Sequence, residues 1–153
     1  MIQVRHLGVR LTLAGGILAA FLALWESSGR HIGTVYADAL AGGTPTVCNG
    51  VTNYTSPYPV IVGEVWSKEK CAEVERIIAE RIQMALLDCI KVAIQQPTYD
   101  AISSMAWNVG VAGVCGSEAV KAINAGDIRR GCDLIAHRPD GTPNWSYVGG
   151  TLI

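Results

Sequence analysis

Two carboxylic acids, Glu26 and Asp38, stand alone in the first 63 residues of this 153-residue chain. Two carboxyl groups that face one glycosidic bond can hydrolyse it, because one donates a proton to the leaving oxygen and the other directs water or stabilises positive charge. Glu26 follows the apolar pair Leu24-Trp25, which favours the protonated form. Asp38 lies in a polar stretch that favours the ionised form. The pair suits a glycosidase; the alternative is two solvated surface acids.

The elements that would position these acids follow from composition and periodicity. Residues 29–63 are rich in glycine, proline, threonine, tyrosine and valine, which predicts a short β-hairpin or a three-stranded sheet. Beyond them, apolar residues recur at helical spacing, so we expect Ser67 to cap a helix that ends at Pro97. The predicted fold class is α+β, a small sheet lobe followed by a helical lobe. Candidate caps of three further helices are Thr98, Ser117 and Asp127.

An uncharged apolar stretch, residues 11–25, follows a basic N-terminus that carries Arg5 and Arg10. This arrangement is typical of an export signal with its positive end inside. As a helix the stretch would be roughly 22 Å long, short of the ~30 Å hydrocarbon core, and its glycines and alanines offer little apolar surface. We therefore expect an N-terminal apolar helix, within a signal-anchor segment over residues 1–25, that stays uncleaved and later leaves the membrane. A cleaved signal or a permanent anchor is the alternative.

The charge of the chain argues against a nucleic-acid partner. The formal net charge is -1, and all 13 acidic residues stand at Glu26 or later. Setting Arg5 and Arg10 aside from the 12 basic residues leaves 10 against those 13. Such a mildly acidic body lacks the clustered basic face that nucleic-acid binding needs.

Five cysteines are at least 17 positions apart, without a C-x-x-C motif and with only three histidines in the chain. That spacing argues against zinc and against a thioredoxin-like site, so no metal and no cofactor are expected. Behind an export signal the cysteines are better interpreted as disulfide partners. Because five is odd, one lacks a partner within the chain. They are Cys48, Cys71, Cys89, Cys115 and Cys132.

Three blocks of sequence resemble the phage lysozyme family, and within it the signal-anchor-release endolysins of lambdoid phages. The first block is similar to the family's catalytic hairpin, with Glu, Asp and Thr in that order before a glycine-containing strand. The second resembles its aromatic-Asn-Val-Gly-x-Gly helix end, and the third the helix break that follows. The resemblance covers roughly residues 25–148. The blocks are Trp25-Glu26 with Tyr36-Ala37-Asp38 and Pro45–Thr52, then Ser104–Gly113, then Ile123–Asp127 with Gly131-Cys132.

The resemblance implies a reaction and a role for each residue. Glu26 would be the general acid, Asp38 would position or activate water, and Thr46 would help to hold that water. The implied reaction is hydrolysis of the β-1,4 bond between N-acetylmuramic acid and N-acetylglucosamine in peptidoglycan, with inversion. Asn108 would contact the glycan or brace the hairpin, while a helix C-terminal cap ahead of Gly110 explains it equally well.

The resemblance also implies a setting for the protein. A monomeric, lysozyme-like catalytic domain over residues 26–153 would be held on the bacterial inner membrane through residues 11–25. It would then be released to the periplasm of the host cell. Alternatives on the same substrate are a lytic transglycosylase and a non-catalytic peptidoglycan-binding protein.

The spacing of the first block departs from the family pattern. The stretch from Glu26 to Asp38 is three residues longer, and that from Asp38 to Thr46 two residues longer, and nearby glycines make such loop insertions easy. Thr44 has the family's distance from Asp38, so counting alone favours Thr44. The Val-Cys context after Thr46 favours Thr46.

The C-terminus departs as well, because the family continues into a further helix where this chain stops at Ile153. The resemblance therefore implies a truncated domain in which one cysteine has lost its partner. The implied disulfides join Cys48 to Cys71 and Cys89 to Cys115, which leaves Cys132 unpaired.

Overall fold

The computed structural model describes residues 2–27, 29–143, 147–148 and 151–152. Within them, short strands form three antiparallel sheets, ordered β1-β2, β3-β4-β5 and β6-β7. Together with the helices they confirm the predicted α+β class. The strands are Gln3–His6 (β1), Val9–Thr12 (β2), Tyr36–Asp38 (β3), Thr44–Val47 (β4), Val51–Thr52 (β5), Tyr147–Val148 (β6) and Thr151–Leu152 (β7). The helices are Gly16–Ser27 (α1), Lys68–Leu87 (α2), Gln96–Cys115 (α3), Glu118–Asn124 (α4) and Ile128–Ala136 (α5).

The chain divides into two compact units. Residues 16–80, here called the sheet unit, contain α1, the β3-β4-β5 sheet and the start of α2. Residues 1–15 and 81–153, here called the helical unit, contain the β1-β2 hairpin, the end of α2 and the remaining elements. The division differs from the predicted boundary between residues 25 and 26. That boundary concerns membrane attachment rather than packing, and it stays a prediction.

The sheet of the sheet unit forms in the turn-rich stretch where composition predicts it. Val47 of β4 pairs with Val51 of β5, and neither side chain is exposed. The backbone just before β3 runs close to the segment before α2, since the Trp66 amide donates to the Gly33 carbonyl at 2.7 Å. A Cβ on Gly33 would lie 2.9 Å from the Trp66 carbonyl oxygen, so the approach requires glycine.

The helical unit has one apolar core, to which the N-terminal hairpin contributes Leu11 and Leu13, 0% and 2% exposed. Burying each leucine contributes roughly 1.5–3 kcal/mol. Between them the Thr12 amide donates to Gln96 Oε1 at 2.7 Å, and Gln96 Nε2 donates back to the Thr12 carbonyl at 3.0 Å. The other buried members of this core are Leu86, Ile90, Ile94, Tyr99, Ile102, Met105, Ala106, Val114, Val120 and Ile123.

The apolar stretch of residues 11–25 is not one helix in the folded chain. Leu11 and Thr12 belong to β2, Ala14 has a φ of 48° in the turn that follows, and α1 begins only at Gly16. Among the residues that the structure describes, no helix is both long enough and apolar enough to cross a membrane. Along α1, Leu18 and Leu22 are buried, whereas Ile17, Phe21 and Leu24 are exposed.

The prediction of one helix from Ser67 to Pro97 is wrong at its far end. Ser67 does cap α2, because its Oγ accepts the Lys70 amide at 3.0 Å. The helix ends at Leu87, where the Asp88 amide bonds to the Ala85 carbonyl three residues back and so tightens the last turn. Pro97 lies in the first turn of α3, where a missing amide hydrogen costs nothing.

Two of the three remaining predicted caps are confirmed. Ser117 accepts the Val120 amide ahead of α4, and Asp127 accepts the Arg130 amide ahead of α5. Thr98 is wrong as a cap: it lies inside α3, buried, and Gln95 precedes that helix without a side-chain cap. The cause is again Pro97, which starts this helix instead of ending the one before.

Candidate active site

Asp38 and Thr46 lie on one face of the three-stranded sheet. The register pairs Asp38 with Thr44 and Tyr36 with Thr46 across β3 and β4. Side chains two residues apart on a strand share a face, so these four side chains project to the same side. The structure thus brings two of the predicted site residues onto one surface, together with the rival Thr44.

Asp38 ends β3 and begins the turn that leads to β4. Its Oδ1 accepts the Leu40 amide at 3.0 Å, so it caps the short 3-10 helix Ala39–Ala41, and its carbonyl accepts the Gly43 amide at 2.7 Å. The carboxylate is half-buried. Burial raises the pKa of the Tyr36 phenol, and the negative charge of Asp38 raises it further. The Tyr36 phenol and the Asp38 carboxyl group therefore interact on this face of the sheet.

The two candidate threonines differ in burial and in hydrogen bonding. Thr46 is 4% exposed, and its hydroxyl donates to the Thr44 carbonyl at 3.0 Å. The Thr44 hydroxyl donates to the Ala41 carbonyl at 2.7 Å and so belongs to the turn after Asp38. In both residues the hydroxyl proton is engaged, which leaves the oxygen to accept a hydrogen bond from water.

Glu26 lies in the last turn of α1, and its side chain is half-buried. The helix end is closed just after it by the Gly29 amide, which donates to the Ala23 carbonyl at 2.9 Å. Glu26, Asp38 and Thr46 all belong to the sheet unit. Asn108 belongs to the helical unit.

Asn108 is exposed on α3, two residues before a break in the helix. Its Nδ2 donates to the Ser104 carbonyl at 3.3 Å. Gly110 has φ 81° and ψ 159°, a conformation essentially confined to glycine, and α3 kinks there. The bond from Asn108 to the preceding turn supports its interpretation as a residue that finishes the first half of α3.

Two disulfides join the pairs that the resemblance implies. Cys48 bonds to Cys71 in the sheet unit and Cys89 to Cys115 in the helical unit, with Cα atoms 5.6 and 5.7 Å apart. Cys132 is a free, exposed thiol on α5. Among the described residues, no group of three or more histidine, cysteine, aspartate or glutamate side chains is arranged to hold a metal ion.

Next to the first disulfide lies a contact that sequence reasoning missed. Both carboxylate oxygens of Glu75 accept hydrogen bonds from Asn49, Oε1 from the backbone amide at 2.8 Å and Oε2 from Nδ2 at 3.1 Å. Residue types and spacing give no signal for this contact, because it depends on the turn at Cys48 that brings Asn49 to Glu75.

Residues 30–152 match the phage lysozyme family. The match includes Asp38 and Thr46 but begins after Glu26. The chain is 34% identical over 111 residues to the SAR-endolysin of Escherichia phage 933W, an alignment that covers 72% of this chain and 60% of that protein. It is 32% identical over 125 residues to the SAR-endolysin of Pseudomonas phage phiKMV, covering 81% and 72%. The chain thus spans about 60% of the length of relatives such as the 933W protein.

Solved structures of the same fold include the endolysin of Escherichia coli O157:H7 phage FAHEc1, with a TM-score of 0.70 at 24% identity over 93% of this chain and 82% of that one. A P22 lysozyme mutant has a TM-score of 0.71 at 21% identity, covering 90% of this chain and 86% of the other. At these identities the likeness concerns the fold, which is lysozyme-like.

Proposed function

Because the chain belongs to the phage lysozyme family, we propose that it is an endolysin that hydrolyses the β-1,4 bond between N-acetylmuramic acid and N-acetylglucosamine in peptidoglycan. The observation that carries the proposal is the family match over residues 30–152, together with Asp38 and Thr46 on one face of one sheet. The expected consequence is lysis of the bacterial cell. No cofactor takes part in this reaction, which needs only carboxyl groups and water.

In the proposed mechanism Glu26 donates a proton to the leaving glycosidic oxygen. Asp38 and Thr46 hold a water molecule on the opposite face of the sugar, where the Asp38 carboxylate accepts one of its protons. The Thr46 oxygen accepts a hydrogen bond from the other O–H group of the water, which keeps that proton, because the Thr46 hydroxyl proton is donated to the Thr44 carbonyl. The water oxygen is then free to attack the anomeric carbon, and the configuration inverts.

The experiment that tests this function compares Glu26→Gln with Glu64→Gln, the same change at the next glutamate along the chain, which is exposed. Loss of a general acid lowers the rate by about 100- to 10,000-fold. We therefore expect purified protein and Glu64→Gln to release reducing sugar from peptidoglycan, while Glu26→Gln does not. A fully active Glu26→Gln protein would refute the assignment, and anhydro-muramic ends in the products would identify a lytic transglycosylase instead.

The catalytic threonine is proposed to be Thr46 rather than Thr44. Valine matches threonine in shape but carries no hydroxyl, so each substitution removes only the polar contact. We expect Thr46→Val to lower kcat and Thr44→Val to leave most of the activity, since the Thr44 hydroxyl closes a turn. The reverse order of activities would transfer the role to Thr44.

For Asn108 the proposed role is contact with the glycan. Replacement of Asn108 by alanine tests it, because loss of a glycan contact raises KM, whereas loss of a helix-end bond to Ser104 lowers stability alone. An Asn108→Ala protein with unchanged KM and kcat would leave only the structural role.

We also propose that residues 11–25 hold the newly made protein on the bacterial inner membrane and later leave it, so that a monomer acts in the periplasm. The support is the buried position of Leu11 and Leu13 in the core of the helical unit. The same leucines would have to lie in the bilayer while the segment is inserted, so the two states exclude each other. Exit from the membrane would then complete the core.

The test of this cycle is Gly16→Leu. Space around the Cβ position of Gly16 is open, so leucine fits the folded protein while adding apolar surface to the segment. We expect the unmodified chain to move at full length from membrane to periplasm when the membrane is depolarised, and Gly16→Leu to stay behind. The matched control is Gly16→Ala, which should move. Detection only of a form shortened near Ala23 would indicate a cleaved signal.

A further inference from the structure

The β4–β5 turn is held to α2 at two consecutive residues. Cys48 is bonded to Cys71 through the disulfide. Asn49 donates its backbone amide and its side-chain amide to the two oxygens of Glu75, at 2.8 and 3.1 Å. Cys71 and Glu75 are four residues apart, so they lie on one face of the helix, one turn after the other. The turn is therefore tied down along its length rather than at a single point.

The turn needs such tethers because its backbone is unfavourable on its own. Cys48 has a φ of 58°, in the left-handed region that residues other than glycine, asparagine and aspartate rarely adopt. A residue held there persists only when its surroundings fix it. The Cys48 amide also donates to the Ile32 carbonyl at 2.8 Å. Without contacts from outside the hairpin, the turn would relax toward other conformations.

The turn lies directly beside Thr46. Val47 separates Thr46 from Cys48, and Val47 pairs with Val51 on the far side of the turn. Thr46 itself is 4% exposed and pairs with Thr52. A change in the turn therefore shifts β4 at the position of the Thr46 hydroxyl, and a slip of one residue would send that hydroxyl to the opposite face.

We propose that Glu75 is a positioning residue that fixes the Thr46 hydroxyl by holding Asn49 in the β4–β5 turn. Its importance for activity rests on the proposed function, in which Thr46 holds the attacking water. Glu75 itself touches no reacting atom. Its contribution is the pair of hydrogen bonds to Asn49, which the Cys48–Cys71 disulfide next to them does not replace.

The surroundings of Glu75 act on its pKa in opposite directions. It lines a cavity of about 140 Å³ with Arg30, His31 and Lys68. Burial has the largest effect and raises the pKa of Glu75, while the two hydrogen bonds from Asn49 and the nearby His31 offset part of that rise. The bonds from Asn49 thus offset part of the cost of burying the ionised group.

Glu75→Gln is the variant that tests the proposal, with Glu73→Gln as its matched control. Glutamine keeps the size of the side chain but turns one acceptor oxygen into a donor, so one of the two bonds from Asn49 is lost. Glu73 lies two residues earlier on α2 and is exposed, so its replacement makes the same change of charge. Both variants retain the two disulfides.

Three measurements test the proposal. Hydrogen exchange of the Thr46 and Val47 backbone amides should become severalfold faster in Glu75→Gln and stay unchanged in Glu73→Gln. On peptidoglycan, kcat of Glu75→Gln should fall by roughly 10-fold with KM unchanged, below the ~100-fold that a 1 Å misplacement costs. The pH profile of kcat in Glu75→Gln should also lose the limb that reports the titration of Glu75.

The exchange measurement keeps the proposal separate from the proposed function. If the unmodified protein does not hydrolyse peptidoglycan, the function fails, while exchange alone still decides whether Glu75 holds β4. Unchanged exchange in Glu75→Gln would overturn the proposal. In an active enzyme, faster exchange with an unchanged kcat would overturn it too, because Thr46 would then not depend on the turn.

Discussion

The two units of this protein differ in the contacts that fix their side chains. In the helical unit a single apolar core of leucine, isoleucine and valine side chains includes two leucines from the N-terminal hairpin. In the sheet unit, which contains Glu26, Asp38 and Thr46, the strands are two to four residues long. There the placement of side chains depends on turn geometry and on tethers such as Cys48–Cys71 and Asn49–Glu75. Both units bury apolar side chains and each contains a disulfide, but in the sheet unit the covalent and polar contacts also hold the turn beside Thr46.

The variant with the largest expected loss of unfolding free energy is Leu13→Ala, in the core of the helical unit. Removal of a buried leucine side chain leaves a cavity and costs about 2–5 kcal/mol of unfolding free energy. Leu40→Ala, in the sheet unit, is the matched control, because Leu40 is 71% exposed and its loss should change stability by less than about 0.5 kcal/mol. Urea unfolding of both variants measures the two effects. Equal effects would mean that the hairpin adds nothing to the core of the helical unit.

Removal of one disulfide at a time is the second test. The two bonds span similar separations, 23 and 26 residues, so the loss of either should cost a similar ~2–4 kcal/mol. Activity should separate them. The double change Cys48→Ser with Cys71→Ser should lower kcat on peptidoglycan, whereas Cys89→Ser with Cys115→Ser should lower only the unfolding free energy. If kcat fell equally in both, the Cys48–Cys71 disulfide would have no special role beside Thr46.

Local signals in the sequence predicted much of the helical unit, and the exceptions have physical causes. Ser117 and Asp127 could be predicted as caps, because the oxygen of a short side chain just before a helix accepts a free backbone amide of its first turn. Pro97 led to a wrong prediction of a helix end, because proline is compatible both with stopping a helix and with starting one. The strand at Leu11 was hidden because an uncharged apolar run suits a bilayer as well as a core.

The candidate site divides in the same way. Glu26, Asp38 and Thr46 could be proposed as site residues from their types and order, and the register of β3 and β4 places Asp38 and Thr46 on one face. The role of Glu75 could not, because nothing distinguishes it by composition from the other acids of α2. Only the hairpin turn brings Asn49 to it, and that depends on a backbone conformation of Cys48 that residue type does not predict.

The kink in α3 gives a smaller test. Gly110 and Cys48 both have a positive φ. Glycine adopts this conformation readily, whereas Cys48 is held in it by contacts with the rest of the sheet unit. Alanine at Gly110 would meet no neighbouring atom, so its cost is that of the backbone alone, roughly 1–3 kcal/mol. Gly16→Ala, also without a close neighbour, should be near neutral. Thermal or urea unfolding measures both, and a neutral Gly110→Ala would mean that the kink is absent in solution.

The smallest expected effect is the titration of Glu75, the residue that accepts the bonds from Asn49. Because burial raises the pKa of Glu75, the folded state binds the carboxyl proton of Glu75 more tightly than the unfolded state does. Unfolding free energy should therefore fall as pH rises from the ordinary carboxyl pKa through the raised one, and Glu75→Gln should lose that dependence.

Asn49→Ala sharpens the same measurement. It removes the side-chain donor and keeps the backbone amide, so the pKa of Glu75, followed by carboxyl carbon NMR, should rise further. Glu73→Gln, which removes a charge from the same helix, should leave that pKa nearly unchanged. If Asn49→Ala left it unchanged as well, the side-chain bond would not exist in solution, and the disulfide and the Asn49 backbone amide would hold the turn beside Thr46 without it.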